Sequence, residues 1–87
     1  MSAEQLFADL DGRQLSIMGQ SWQVQPYAVW DAPEQRWIQL SLAGRADSQN
    51  LILTLKVGAG AGIQHVVMAL SSWLANPANS SDILNVA

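Results

Sequence analysis

The chain has 87 residues, 49% of them apolar and none of them cysteine, so it can bury one modest core but cannot form disulfides or thiolate metal sites. Only 13% of its residues are charged, with a net charge of −3. The basic side chains Arg13, Arg36, Arg45 and Lys56 are scattered rather than clustered, which disfavours nucleic acid as a partner, and the acidity is too slight to mimic DNA.

The N-terminal segment, residues 1–12, lacks the basic region and apolar core of a signal peptide, and no later run is long enough to span a bilayer. A cytoplasmic protein with no membrane partner is therefore expected. Ser2 and Gln5 are spaced as a capping box, and Leu6, Phe7 and Leu10 share one face of a helix. A short N-terminal helix is the favoured reading. Its competitor is a strand from Leu6 to Leu10 that turns at Asp11-Gly12.

Residues 13–57 read as a four-stranded antiparallel meander. Leu15 and Ile17 alternate in a first strand that ends at Gly19. In the second strand, Trp22 and Val24 share one parity while Tyr27 and Val29 share the other, and Pro26 stands where the parity changes. A one-residue bulge near Gln25-Pro26 reconciles the two, on an edge where proline is tolerated. A turn over Ala32 to Gln35 sets Asp31 opposite Arg36, Trp30 opposite Trp37, Val29 beside Ile38 and Tyr27 beside Leu40. In the third strand Ile38, Leu40 and Leu42 face inward. Polar residues from Gly44 to Asn50 form a loop, after which Leu42 pairs with Leu51 and Lys56 falls next to Trp37. In the fourth strand Leu51, Leu53, Leu55 and Val57 point to the core, while Ile52, Thr54 and Lys56 point away.

The glycine hinge of residues 58–62 leads into a helix over residues 63–76. Ile63, Val66, Val67, Leu70, Trp73 and Leu74 share an arc of roughly 120° whose burial is worth on the order of 10–15 kcal/mol. That arc requires the helix to lie on the leucine face of the sheet, and Asn76-Pro77 is its stop signal. The residues 77–87 read as a frayed tail in preference to a capped turn or an added edge strand. The fold class is thus α+β: a four-stranded antiparallel β-meander with a C-terminal helix on one face and a short N-terminal helix.

The outward helix face carries Gln64, His65, Met68, Ala69, Ser71, Ser72 and Ala75, and no charged residue occurs from Gly58 to Ser81. Solvated helix faces usually carry Lys and Glu. This bare face is therefore read as a contact surface for a second copy of the chain or another protein. Trp30 and Trp37, with Lys56 placed for a cation–π contact, form a second candidate surface. Their pairing is equally consistent with hairpin stabilisation or with cover from Phe7 and Leu10.

Candidate chemistry is sparse. Gly58, Gly60 and Gly62 give G-x-G-x-G, whereas a dinucleotide fingerprint needs its third glycine at the position of Ile63. A flexible crossover is favoured, with an anion or small-ligand site at Gly60, Gly62 and Ile63 as the alternative. His65, the single histidine, has Ala61, Gly62, Met68 and Ala69 as helical neighbours, and none can orient it for catalysis. The acidic residues Glu4, Asp9, Asp11, Asp31 and Glu34 read as caps and turns. No cofactor, metal or enzymatic activity is expected. The function expected is a non-catalytic protein-interaction module (adaptor, chaperone-like subunit or inhibitor), homodimeric through the helix face. An enzyme working through His65 ranks last.

Overall fold

The computed structural model describes residues 2–44, 50–76 and 82–86. Helix α1 (Ala3–Leu10) begins at the capping box: Gln5 N–H donates to Ser2 Oγ at 3.2 Å and Ser2 N–H donates to Gln5 Oε1 at 2.9 Å. The helix sends Ala3, Leu6 and Leu10 into the core, so the competing Leu6–Leu10 strand is excluded. Asp11-Gly12 still turns the chain, with Gly12 at φ +75°.

Strands β1 (Gln14–Ile17) and β2 (Gln20–Ala32) are joined by Met18 and Gly19. Both have positive φ, as in the mirror-image turns whose twist matches that of a hairpin. The β2 register shifts between Pro26 and Ala28, so the parity change marks a bulge, as expected. Strand β3 (Gln35–Gly44) sets Trp37 against Trp30, Arg36 against Asp31 and Ile38 against Val29. Leu40, however, pairs with Pro26 and not with Tyr27. Tyr27 is the bulged residue, and in a bulge the extra residue has no partner opposite it. Strand β4 (Asn50–Gly58) pairs Leu51 with Leu42 and Lys56 with Trp37, in the expected register. The connection at residues 45–49 lies outside the described residues.

Helix α2 (Ile63–Ala75) follows the hinge. It buries Val66 and Leu70 fully and Ile63, Val67, Trp73 and Leu74 in part, so its gain lies below the figure for six wholly buried side chains. Its expected stop at Pro77 lies outside the described residues, as do residues 78–81. The frayed-tail expectation is overturned further on. Residues Ile83–Val86 form β5, a fifth strand parallel to β4, with Thr54 N–H donating to Asp82 C=O at 2.9 Å. A helix of 13 residues, about 20 Å long, returns the chain only as far as the middle of β4, so the next segment starts opposite Thr54 and runs in the same direction as β4. It then finds a free edge, and Val86 is buried there.

The sheet order is β1-β2-β3-β4-β5. Helix α2 touches both outer strands, β1 and β5, and α1 touches β2, β3 and α2. One helix bridging the two edges requires a curled sheet, and the result is a half-barrel with both helices on its concave side. Leu15, Trp22, Val24, Ile38, Leu40, Leu42, Leu53, Leu55 and Val57 line that side. Gly44 ends β3 where a Cβ would stand 2.9 Å from Cζ3 of the buried Trp22 ring. Gly44→Val should therefore cost about 1–3 kcal/mol through overpacking. The check is a lower urea midpoint with an unchanged slope, and an unaltered midpoint would show that the ring moves freely.

Candidate functional site

Alternation along the strands decides what each face of the sheet presents. The residues opposite in parity to the core rows are Gln23, Gln25, Ala28 and Trp30 on β2, Gln35, Trp37, Gln39, Ser41 and Ala43 on β3, Ile52, Thr54 and Lys56 on β4, and Ile83 and Asn85 on β5. The bulge adds Tyr27 to the same side as Ala28, because two consecutive residues there oppose one. Of the six large apolar residues exposed among the described residues, Tyr27 (54%), Trp30 (42%), Ile52 (62%) and Ile83 (48%) lie on this convex face. They surround the neutral pair Gln39 and Thr54, which are opposite each other in register. Among the described residues, the one charged residue of this face is Lys56.

The two tryptophans stand as a ladder across the strands. Their ring centroids are 5.6 Å apart and their planes differ by 5°, and Lys56 Nζ lies 5.0 Å from the Trp37 centroid. Trp37 is thus covered on one side by Trp30 and on the other by a cation. Phe7 and Leu10 do not cover the pair: Leu10 lies in the core on the concave side, and Phe7 stands on the same short helix.

The outer face of α2 is organised differently. Gln64, His65, Met68, Ser72 and Ala75 are exposed, whereas Ser71 and Ala69 are half-buried. Met68, at 68% exposure, is the one large apolar side chain there.

The hinge is held by two side chains. Arg36 is 6% exposed, and its Nη2 donates to the carbonyls of Gly58 and Ala61. A guanidinium can satisfy two carbonyls at once because its donors lie in a fixed fork. In the sequence Arg36 reads as one of several scattered cations, set opposite Asp31. Its parity, shared with Ile38, Leu40 and Leu42, was the available signal that it points inward. The second side chain is His65: the Gly62 N–H donates to its Nδ1 at 3.0 Å. His65 thus fills the place that Glu or Gln takes in a capping box and carries its ring proton on Nε2. Gly62 is the N-cap, Ile63 packs against the core and Gly60 is exposed in the turn. At the start of the helix the amides of Gly62 and His65 are already bonded, the latter to the Gly62 carbonyl at 3.1 Å.

A cleft of about 400 Å³ opens beside Gln14, Ser21, Trp22, Gln23, Ala43 and Gly44, and these six residues offer no acid–base pair. Among the described residues, no three His, Asp or Glu side chains come together as a metal site, and no helix is long and apolar enough to cross a membrane. Comparison with protein-family models, curated proteins and solved structures finds no match.

Arg36→Met keeps the length of the side chain but leaves the Ala61 carbonyl without this donor, at an expected loss of about 1.5–3 kcal/mol. Hydrogen exchange should show faster opening of the amides of residues 58–66 than of the β2–β3 hairpin. Uniform acceleration across the chain would deny Arg36 a local role at the hinge.

Proposed function

We propose that the protein is a non-catalytic protein-interaction module whose docking surface is the convex face of its sheet. The observation that carries this reading is the gathering of Tyr27, Trp30, Ile52 and Ile83 on one face with, among the described residues, a single charge. A small acidic protein gains nothing in solubility from such a face, and contiguous exposed apolar surface rimmed by polar groups is a recurrent mark of docking. Tyrosine and tryptophan among neutral amides also match the usual composition of interface centres.

The outer face of α2 supports a second reading, homodimerisation. Its supporting observation is Met68 standing exposed among Gln64, His65, Ser71, Ser72 and Ala75 with no charged neighbour on that face. A small-ligand or anion site at Gly60, Gly62 and Ile63 is the weaker alternative, because two of the amides it would use are already bonded within the chain.

The paired variants Ile52→Lys with Ile83→Lys, and Met68→Glu with Ser72→Glu, separate these readings. All four positions are partly or fully exposed, so circular dichroism should report an unchanged fold. The sheet variant is expected to lose at least tenfold in capture of a specific partner from native lysate, while the helix variant weakens self-association in sedimentation. A wild-type chain that captures nothing the two variants fail to capture equally well, and that sediments as a monomer throughout, would refute both readings.

A further inference from the structure

The β2 strand has a half-open edge. Beside its first part runs β1, and Val24 N–H donates to Arg13 C=O while Val24 C=O accepts from Gly12 N–H. Main-chain groups of Trp22, Val24 and Pro26 therefore point away from β3, and those of Gln23 and Gln25 point toward it. Pro26, which has no N–H, occupies an edge position where none is needed. The bulge at Tyr27 then shifts the alternation by one. Beyond it Ala28, Trp30 and Ala32 bond toward β3, and Val29 and Asp31 turn their N–H and C=O outward. The closing pair Ala32–Gln35 of the two-residue turn gives the same assignment from the other end. Among the described residues, nothing bonds these outward groups of Val29 and Asp31.

We propose that a second copy of the chain pairs with this edge, antiparallel, over residues 28–32, with a two-fold axis at Trp30. The proposal deepens the interaction-module reading by naming one partner. It uses an edge that neither the sheet-face nor the helix-face reading requires.

Self-complementarity is what selects a second copy. An antiparallel pairing centred on Trp30 lets Val29 of each chain exchange both main-chain bonds with Asp31 of the other. Trp30 then meets its own symmetry mate in a non-hydrogen-bonded pair, the closer of the two antiparallel geometries, in which cross-strand aromatic rings can pack. One face of the Trp30 ring is already stacked on Trp37, and the residue remains 42% exposed at the open edge. The pairing extends the ladder to four rings, with a Lys56 cation at each end. Five strand spacings place those two cations about 24 Å apart, beyond the range of effective repulsion at physiological salt.

Two features set the strength of the dimer. The shared edge is only about 17 Å long, short of the ~800 Å² per partner of a standard interface, so dimerisation is reversible and concentration-dependent. The two Asp31 carboxylates flank the axis at roughly 8 Å on the face opposite the rings, and their repulsion weakens the pairing.

The test uses the absence of native cysteine. Ala28 of one copy faces Ala32 of the other in the proposed register, at a Cα separation that a disulfide spans. The double variant Ala28→Cys with Ala32→Cys should therefore cross-link into dimers under mild oxidation. Either single variant should not, since like positions lie about 14 Å apart along the strands. In sedimentation equilibrium of the cysteine-free chain, Trp30→Lys should weaken dimerisation at least tenfold. Asp31→Asn should tighten it about twofold, the Coulomb repulsion at that distance in water. A monomer at every concentration, cross-linking by the single variants as readily as by the double, or a dimer indifferent to Trp30→Lys would overturn the proposal. Capture of another protein through the convex face could survive each of those results, so the wider reading would stand or fall separately.

Discussion

The structure depends on one helix reaching both edges of a sheet. Val66 and Leu70 can leave water only if the sheet curls beneath them, and α2 touches β1 on one side and β5 on the other. The curl divides the molecule into a concave side, where α1 and α2 close the core, and a convex side that no element of the described chain covers. The functional proposals rest on that division. Curling also explains how so short a chain buries eleven large side chains almost completely, since a flat sheet would have left its outer strands uncovered.

The hinge shows how a bare stretch of glycine and alanine is given a definite course. Glycine supplies little side-chain contact and loses much freedom on ordering, so GAGAG needs constraint from outside. Arg36 provides it from β3 by holding the Gly58 and Ala61 carbonyls, and His65 provides it from α2 by accepting the Gly62 amide. The His65 bond takes up the Gly62 amide, one of the donors that a phosphate-binding loop would keep open. The residues that first suggest ligand chemistry, the glycines and the lone histidine, are thereby engaged in placing the helix.

On the convex side the polar residues are nearly all uncharged. Gln23, Gln25, Gln39, Ser41, Thr54 and Asn85 can each donate and accept, so the apolar residues among them can be covered without stranding a charge. Lys56 is the exception, and the Trp37 ring shields one side of it. A face of this kind tolerates both water and protein, which suits reversible association.

Much of the fold was legible in residue order. The capping box at Ser2 and Gln5, the parity break at Pro26, the facing pairs Trp30–Trp37 and Leu42–Leu51, and the helix over 63–76 follow from local spacing. Spacing of that kind reflects forces acting between near neighbours. The candidate helix face and the tryptophan pair were likewise visible as residues, though not as surfaces of different apolar content. The inward course of Arg36 was not read from the sequence, because its charge argues for solvent while its parity argues for the core, and only the nearby hinge carbonyls reconcile the two. The fifth strand stood only as an alternative to a frayed tail, because four residues carry no periodicity strong enough to favour it.

The sequence by itself determined the two helices, the first four strands, their order and, apart from the bulge at Tyr27, their antiparallel register, since alternation, caps and turn residues act within a few positions of one another. Tertiary structure alone decided that the last segment joins β4 in parallel, that Arg36 turns inward, and that the exposed aromatic and aliphatic residues converge on the convex face. Each of those outcomes depends on groups far apart in the chain, brought together by curling the sheet under α2.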